Sequence, residues 1–431
     1  MKRDVVVIGA GLAGLATAAW VARSGRSVVV VEKAAGAGGR AQTTAAGKFR
    51  LNLGPHALYC GGPAEGALRE LDVPIAGRKP NATGGYAVAR GAAHALPGGF
   101  LSLLTTGLFG VSAKLETAKL LSGLPRLDAE PLQATTVNEW LARDVRQAEV
   151  RALVGGLVRL ASYAADHDRM SAGTAIAQMQ GALRRGVRYL DGGWQVLVDG
   201  LAQAAARAGA TLLTSARADA VVGAGEHRRV RLGDGNAIDA DAVVIAAGPD
   251  TAAELLDGAA GAAARAWAAS SLPVRAACLD VGLARLPQPR ATFALGVDRP
   301  LYLSVHSASA RLAPEGGAMI HVLKYLAAGE GDARADQREL EGLLDLIQPG
   351  WREAVVEHRF LPGMLVSNAL PTAAAGGLGG RPDVAVPGAD GVYIAGDWVG
   401  AQGLLADASL ASARRAAEAI AARPLRAMAA A

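Results

Sequence analysis

The stretch "DVVVIGAGLAGLATAAWVARSGRSVVVVEKA", residues 4–34, decides the fold of this chain. A short apolar strand, "DVVVI", leads into a glycine-rich turn, and the small and apolar residues 12–23 are typical of a buried helix. Gly25 ends that helix, and "SVVVVE" follows as a second apolar strand. The order strand, turn, helix, strand predicts a parallel βαβ unit at the start of the chain.

Three glycines in the turn, Gly9, Gly11 and Gly14, have the spacing G-x-G-x-x-G. The first permits the tight turn, the second lets a pyrophosphate approach the backbone, and the third lets helix and sheet pack closely. The helix N-terminus adds N–H donors and the positive end of a dipole. Glu32 ends the second strand, where a carboxylate can accept hydrogen bonds from adenosine ribose hydroxyls. Together these features predict a dinucleotide site.

Two further segments distinguish between the possible dinucleotides. "EKAAGAGGRAQTT" carries Gly38, Gly39 and Arg40 directly after the acidic residue, and "GVYIAGDWVGAQGLLADASLASARRAAEAI" ends the chain with a strand, a Gly-Asp turn and a long helix. With these motifs the sequence resembles the superfamily of FAD-dependent amine oxidases and phytoene desaturases. Its apolar middle is more similar to the desaturase-like branch. The segments "GGWQVLVDGLAQAAARAGATLL" and "AVVIAAG" also resemble parts of the FAD domain in that superfamily.

The resemblance implies that both ends of the chain bind FAD together. Asp397 would bond the ribityl-phosphate part, and the helix that starts near Leu404 would direct its N-terminus at the flavin pyrimidine ring. A helix dipole there would stabilise the negative charge of a reduced flavin. The residues implied in cofactor binding are Gly9, Ala10, Gly11, Leu12, Ala13, Gly14, Glu32, Lys33, Gly38, Gly39, Arg40, Gly54, Pro55, His56, Val222, Ala247, Gly248, Gly396, Asp397, Gly403 and Leu404.

His56 follows a Gly-Pro turn in "LNLGPHALYCGG", residues 51–62. In the relatives this segment forms a turn against the isoalloxazine ring, so we interpret His56 as a loop residue that packs or hydrogen-bonds near the flavin. A catalytic base is the alternative. No histidine, cysteine and carboxylate group has the spacing of metal ligands, so no metal site is predicted. Neither Cys60 nor Cys278 lies just before the last helix, where covalent relatives carry their cysteine, so the FAD is expected to be non-covalent.

The expected fold is α/β, with two domains that are each discontinuous in sequence. A Rossmann-like FAD-binding domain would comprise residues 1–75, 190–250 and 360–431. A second, α+β substrate-binding domain would comprise residues 76–189, with helical patterns, and residues 251–359, with strands such as "VRAACLDVGLA" and "GGAMIHVLKYL".

Composition excludes several classes of protein. The chain of 431 residues is 51% hydrophobic and 19% charged, which is typical of a globular protein. The net charge of +5 is spread along the chain, and the basic run "HRRVR" has no interleaved aromatics, so no nucleic-acid partner is expected. Two cysteines without CxxC spacing fit a reducing, cytoplasmic setting, and the N-terminus leaves no room for a signal peptide.

One stretch, residues 91–113, contains no Lys, Arg, Asp or Glu. Pro97 and several glycines interrupt it, which favours buried helix and loop over a membrane span. Peripheral contact with a membrane is the alternative. The oligomeric state is not predicted.

The sequence contains one nucleotide fingerprint, so we expect no separate NAD(P)H domain. We expect an FAD-dependent oxidoreductase that takes hydride from a small, apolar substrate, an isoprenoid or polyene for example, and passes electrons to oxygen, a quinone or another acceptor. The alternatives are an amine oxidase, a flavin-dependent isomerase and a non-catalytic lipid-binding escort protein of the same fold.

Some residues could supply features of the amine-oxidase branch. Trp398, with Tyr302 or Tyr325, could form an aromatic cage, although core packing explains these residues as well. Arg275 or Lys324 could take the place of the lysine that many relatives have near flavin N5, but a salt bridge or surface role is the preferred interpretation for both.

Overall fold

The computed structural model describes residues 2–81, 85–97, 100–223 and 227–423. The strands, in chain order, are β1 (Lys2–Ile8), β2 (Val28–Val31), β3 (Thr43–Ala46), β4 (Phe49–Asn52), β5 (Leu58–Tyr59), β6 (Gly77–Arg78), β7 (Gly85–Ala89), β8 (Ala92–Ala95), β9 (Val187–Leu190), β10 (Thr211–Leu213), β11 (Ala218–Val222), β12 (Arg228–Leu232), β13 (Ala237–Ile245), β14 (Val274–Leu283), β15 (Phe293–Gly296), β16 (Leu301–Val305), β17 (Ala318–Leu326), β18 (Val355–Ser367) and β19 (Val392–Ile394).

The helices of the same residues are α1 (Leu12–Arg23), α2 (Pro63–Glu70), α3 (Phe100–Thr105), α4 (Val111–Gly123), α5 (Val137–Asp144), α6 (Ala148–Ser162), α7 (Ala172–Arg185), α8 (Gln195–Arg207), α9 (Pro249–Leu255), α10 (Gly258–Ser270), α11 (Ala333–Ile347) and α12 (Leu405–Ala421).

The first large sheet has the order β10-β2-β1-β13-β12-β11, with β19 beside β13. Strands β10, β2, β1, β13 and β19 are parallel, whereas β11, β12 and β13 form an antiparallel meander. All four residues of β2 are buried, as expected for a parallel strand covered on both faces. Helix α1 has the predicted bounds and contacts both α8 and α12. The predicted βαβ unit and the α/β fold class are therefore confirmed.

The second large sheet has the order β18-β14-β17-β16-β15-β7-β8. Its neighbouring strands are antiparallel except for β15 and β7. Helix α11 packs against β14, β16, β17 and β18, while α5, α6 and α7 form a helical layer with a core of its own. The strands of the first sheet lie within residues 1–75, 190–250 and 360–431, and the division into two domains stays a prediction. Its boundary at residue 360 falls inside β18, which runs from the second sheet towards the first.

The uncharged stretch 91–113 folds as strand β8, helix α3 and the start of α4, and residues 98–99 lie outside the described part. Leu103, Leu108 and Phe109 from this stretch are buried, as the helix-and-loop interpretation expects. Among the described residues, no helix combines the length and the hydropathy that a membrane crossing requires. Peripheral membrane contact and the cytoplasmic location stay predictions.

The glycines of the first turn have separable structural roles. Gly9 has φ +104°, and a Cβ there would lie 2.6 Å from the Ala246 carbonyl oxygen. A Cβ on Gly14 would lie 1.9 Å from the Gly9 carbonyl oxygen, whereas one on Gly11 would meet nothing within 4 Å. Gly9 and Gly14 are therefore required by packing between α1, β1 and β13, and Gly11 is not.

We expect Gly14→Ala to lower the melting temperature of the cofactor-free protein, because the turn and the helix must move apart, at a cost of about 3 kcal/mol. The matched control is Gly11→Ala, which adds the same methyl group at an open position with φ −77°. Thermal unfolding followed by circular dichroism measures both. Equal melting temperatures for the two variants would contradict this assignment of roles.

Candidate cofactor site

A cavity of about 830 Å³ opens at the carboxyl ends of the parallel strands of the first sheet. Gly9 follows β1, Glu32 follows β2, Ala246 follows β13 and Ala395 follows β19, and all four line the cavity. Open α/β sheets bind ligands at this edge. The cavity volume lies within the usual range of ligand and cofactor sites.

The N-terminus of α1 forms one wall of the cavity. Gly11, Leu12 and Ala13 line it, and the N-cap residue Gly11 makes no side-chain capping bond. Amide groups in the first turn of a helix have no partner within the helix, so these can donate to phosphate oxygens. Ala10 does not line the cavity. Its carbonyl accepts from the amide of Gly38, 2.8 Å away, which joins this turn to the segment with Gly39.

Glu32 holds the first turn in place with its carboxylate. Oε2 accepts from the Ala10 amide and Oε1 from the Ala34 amide, each at 2.8 Å. Each carboxylate oxygen has a second lone pair that a ribose hydroxyl can use. Glu32 and Lys33 both line the cavity, as the fingerprint predicts.

At the far end of the cavity, beyond Glu32, the lining residues do not include the predicted Val222. This wall is formed by residues 216–219 at the entry of β11, with Asp250 and Glu254 of α9 opposite. Val222 ends β11, and a strand rises about 3.3 Å per residue, so Val222 lies beyond the cavity. Val222 is not among the residues that line the cavity, and its contact with adenine stays a prediction, whereas Ala247 and Gly248 line the cavity.

Arg40 and Asp397 form an ion pair at the middle of the cavity. Nη1 of Arg40 lies 2.6 Å from Oδ2 of Asp397 and also donates to the Val366 carbonyl at 2.7 Å. Asn368 donates to the same carboxylate through its backbone N–H at 3.2 Å and through its side-chain Nδ2 at 2.7 Å. Burial opposes ionisation of Asp397, which is 1% exposed, but Arg40 and Asn368 outweigh it and lower the pKa to about 2. Gly396 lines the cavity beside this pair.

His56 lies in the cavity wall, where the resemblance placed it, together with Pro55. Its Nδ1 is 3.1 Å from the Gly54 carbonyl and its Nε2 is 3.0 Å from the Arg40 carbonyl. Burial of the ring lowers the pKa of His56. Because both nitrogens face carbonyl oxygens, neither presents a free lone pair to a substrate, and the geometry favours the loop interpretation over the catalytic base.

The sequence did not indicate Trp194, which also lines the cavity. Its ring meets the His56 ring edge-on, with centroids 4.9 Å apart. The indole Nε1 is buried, and no hydrogen-bond partner for it exists within the described part of the chain. A buried donor in a cavity wall is suited to a polar group of a ligand.

The other end of the cavity is apolar. Besides Pro55 it is lined by Leu53, Ala57, Met364, Leu365 and Tyr163. Tyr163 ends α6 with φ +63° and donates its hydroxyl to the Pro55 carbonyl at 3.0 Å. Gly54 lies behind this wall rather than in it, since a Cβ there would be 2.7 Å from the Met364 methyl carbon.

Helix α12 directs its N-terminus into the cavity. Its N-cap Leu404 makes no side-chain capping bond, and Leu405, Ala406 and Ser409 line the cavity, whereas Gly403 and Leu404 only shape the turn. Leu405 has φ +55°, which costs a residue with a Cβ about 1–2 kcal/mol. Such backbone strain is typical of sites where the position of a main-chain group matters.

The candidates for an aromatic cage lie outside the cavity wall. Trp398 packs against Trp267 and donates Nε1 to the Ala247 carbonyl at 2.9 Å, so it belongs to the core. Tyr302 and Tyr325 are buried behind Tyr163.

The two candidates for a cation near flavin N5, Arg275 and Lys324, bond to groups outside the cavity wall. Arg275 is exposed and donates to the Gly363 carbonyl. Lys324 pairs with Asp336 and Glu339, at 2.7 and 2.9 Å. The preferred salt-bridge or surface interpretation agrees with both positions.

Among the residues that the structure describes, one buried group could hold a metal ion by distance alone. Ligand atoms of Cys278, Asp280 and His321 lie within 4.8 Å of one another. Arg359, however, already bonds the Asp280 carboxylate at 2.5 Å, and its charge opposes a cation there. We therefore interpret these residues as a hydrogen-bonded cluster.

The cavity fits FAD on several independent counts. Gly11 leaves room for a pyrophosphate, the starts of α1 and α12 are uncapped, and the Trp194 indole donor has no partner in the described part of the chain.

The family described as flavin-containing amine oxidoreductases matches residues 12–278, more than half of the chain. The chain belongs to this family. Membership confirms the predicted resemblance and, with it, the flavin cofactor and the oxidoreductase class.

The chain of this flavoprotein is similar to two curated dehydrogenases over short segments. It is 43% identical to a phytoene dehydrogenase of Streptomyces griseus over 74 residues, which are 17% of this chain and 15% of the relative. It is 52% identical to one subunit of a limonene dehydrogenase of Castellaniella defragrans over 56 residues, 13% of this chain and 10% of the relative. The chain thus aligns with well under a fifth of either relative.

Solved structures resemble the flavoprotein over nearly its whole length. An oxidoreductase from Methanosarcina mazei matches with a TM-score of 0.77 and 20% identity, covering 97% of this chain and 100% of the other. A redesigned putrescine oxidase matches with a TM-score of 0.75 and 15% identity, covering 98% and 100%. At these identities the comparison establishes the fold.

We expect Arg40→Gln to weaken FAD binding at least tenfold, because it removes the cation from the cavity and leaves the Asp397 carboxylate buried without its ion-pair partner. Titration of the apoprotein with FAD, followed by quenching of flavin fluorescence, measures the affinity. The control is Arg50→Gln, since the Arg50 guanidinium bonds to the carbonyls of Gly47 and Phe49 in its own hairpin. Unchanged affinity in the Arg40 variant would contradict the assigned role.

Asp407, in the first turn of α12, should make stability depend on pH. Burial raises its pKa to about 6, although the Ala64 amide donates to it at 2.8 Å. Because the folded-state pKa exceeds the unfolded value near 3.9, its stabilising contribution is present below about pH 4 and lost as the pH rises through 6. The full loss corresponds to about 3 kcal/mol.

Urea unfolding of the cofactor-free protein at pH 5 and pH 7.5 tests this dependence. Asp407→Asn should reduce the fall in unfolding free energy between the two pH values, while the exposed Asp72→Asn should leave it unchanged. If both variants show the wild-type fall, Asp407 does not titrate as stated.

Proposed function

We propose that this flavoprotein desaturates a small, apolar substrate, removing a hydride from one carbon and a proton from its neighbour. The observation that carries the proposal is the separation of charge along the cavity. Charged side chains of both signs line the far end near Glu32, whereas Leu53, Tyr163 and Met364 line the opposite end, beside the N-terminus of α12. The charged side chains are those of Lys33, Arg217, Asp219, Asp250 and Glu254.

A cationic amine needs a counter-ion or an aromatic cage at its binding site. The described residues that line the apolar end include no carboxylate, and Asp397, at the middle of the cavity, is already bonded by Arg40 and Asn368. The cage candidates Trp398, Tyr302 and Tyr325 are buried elsewhere. The wall therefore suits a hydrocarbon better than an ammonium group.

The two curated relatives support the same substrate class. Their names refer to phytoene and limonene, and both compounds are hydrocarbons. The family model supports FAD as the cofactor but leaves open whether an amine or a carbon skeleton is oxidised.

When bound, FAD would supply the acceptor, N5, for a hydride that carries two electrons. The chain's own residues then have three tasks. Gly11, Arg40 and Trp194 hold the polar part of the cofactor, and the amides at the start of α12 stabilise negative charge on the ring. Tyr163 and Met364 orient an apolar substrate and exclude water, so positioning provides most of the catalysis.

Anaerobic mixing of the purified holoprotein with candidate substrates tests the proposal. Bleaching of the flavin absorbance by monoterpene or longer isoprenoid hydrocarbons, with formation of a new double bond by mass spectrometry, is the expected result. Tyr163→Asp, which places a carboxylate in the apolar wall, should slow reduction by the hydrocarbon at least tenfold, while Tyr163→Phe should retain most of the rate.

Three outcomes would overturn the proposal. Bleaching by simple amines and not by hydrocarbons would assign an amine oxidase. Turnover that occurs only after the flavin has been reduced, without consumption of an acceptor, would assign an isomerase. Purified protein without flavin would favour the non-catalytic escort function.

A further inference from the structure

A buried cluster of charged groups lies in the second sheet. Asp280 on β14 and His321 on β17 are fully buried, and Nδ1 of His321 is 2.5 Å from the Asp280 carboxylate. Arg359 on β18 donates to the same carboxylate. Burying Asp280 and His321, with the Arg359 side chain 22% exposed beside them, costs desolvation free energy, and such a cluster beside a cavity is a candidate for a functional role.

Direct contacts connect this cluster to the cavity wall. A Cβ on Gly54, the residue before the cavity-lining Pro55, would lie 3.2 Å from the Cys278 sulfur. The Cys278 thiol donates to Asp280 at 3.3 Å, and Arg359 also donates to the Asn52 carbonyl. The cluster is therefore one layer behind the turn that we expect to face the flavin ring.

Of the two ring nitrogens of His321, Nδ1 bonds to Asp280 and Nε2 has no hydrogen-bond partner among the described residues. With Asp280 at Nδ1, the neutral imidazole carries its proton there and a lone pair on Nε2. Nε2 is buried, and no described group hydrogen-bonds to it. The same holds for Nδ1 of His306, whose ring lies 4.5 Å from the His321 ring between centroids and whose Nε2 is 3.3 Å from the Tyr302 hydroxyl. His321 can thus gain a proton without breaking a hydrogen bond.

We propose that His321 takes up one proton when the bound FAD receives two electrons. The hydride carries both electrons and one proton to flavin N5, which leaves one negative charge on the reduced ring. The proton lost from the neighbouring substrate carbon, or its equivalent from water, ends on Nε2 of His321. Asp280 and Arg359 cancel each other's charge, so the cluster changes from neutral to one positive charge and balances the flavin.

The proposal depends on the groups around His321, because each of them affects the proton equilibrium. Elements packed on β17 carry Cys278 and Asp280 from β14, Tyr302 from β16, His306 from the turn after β16, Arg50 from β4, and Asp336 and Glu339 from α11. Arg359 reaches Asp280 from β18, on the other side of β14, and His56 of the cavity wall also interacts electrostatically with His321. Asp336 and Glu339 pair with Lys324.

The expected coupling is large enough to measure. Two unit charges about 10 Å apart in a protein interior change a protonation equilibrium roughly tenfold. A negative charge on the flavin ring therefore favours the protonated state of a histidine one layer away.

Spectroelectrochemical titration of the holoprotein tests the proposal without any substrate. The dependence of the flavin midpoint potential on pH gives the number of protons taken up per two electrons. Over some range of pH, the wild type should take up about two protons per two electrons, whereas His321→Gln should take up about one. In that range the wild type should show the absorbance spectrum of an anionic reduced flavin. Gln retains an N–H donor for Asp280 but does not titrate.

The matched control is His358→Gln. His358 is exposed on β18 and pairs across the sheet with Val281, next to Asp280. The His358→Gln variant should therefore take up as many protons per two electrons as the wild type. FAD content and circular dichroism establish that both variants fold.

Three results would overturn the proposal: one proton in the wild type with an anionic reduced flavin, two protons with a neutral reduced flavin, or equal counts in the wild type and His321→Gln. The two wild-type results are decisive even if His321→Gln does not fold. The inference rests on the proposed function only through two-electron reduction of FAD. Because an electrode supplies the electrons, failure of every hydrocarbon substrate would leave this result intact.

Discussion

The ion pair between Arg40 and Asp397 is the interaction on which the site depends. It joins segments that are 357 residues apart in the chain, the glycine-rich turn after β2 and the turn before α12. Asn368 bonds the same carboxylate, and Val366 accepts from the same guanidinium, so β18 of the second sheet is tied to this point as well. Since Asp397 is buried, loss of Arg40 would leave an uncompensated charge, and the three segments would lose their common contact.

This arrangement explains why the cavity has two chemically different ends. The edge of a parallel sheet presents helix N-termini and acidic residues, which suit phosphates and ribose hydroxyls. The end of β18 and the turn with Pro55 present apolar side chains and main-chain carbonyls. A cofactor that spans both ends brings its redox-active ring to the apolar part, where water is excluded and electrostatic effects are strong. The charge cluster of Asp280, His321 and Arg359 lies behind that part.

The sequence predicted what depends on local patterns and missed what depends on contacts between distant segments. Glu32 and Arg40 follow from motifs whose physical requirements involve few residues, and the structure places both in the cavity wall. Trp194 was not predicted, because its place beside His56 arises only when distant segments meet. Residues 216–219 around the start of β11 line the cavity and Val222 at its end does not, a difference that the residue pattern of the strand does not reveal. The predicted boundary at residue 360 falls inside β18, because a continuous strand of 13 residues has no linker composition to mark a division.

The central claim is that both ends of the chain grip one FAD molecule together. Hydrogen–deuterium exchange of the apoprotein and the FAD-loaded protein, followed by mass spectrometry, tests it most directly. The account predicts that FAD slows exchange in peptides covering residues 9–15, 38–42 and 404–409 to a similar extent, while peptides of α5 and α11 stay unchanged. Slowing confined to the N-terminal peptides, with residues 404–409 unaffected, would contradict it.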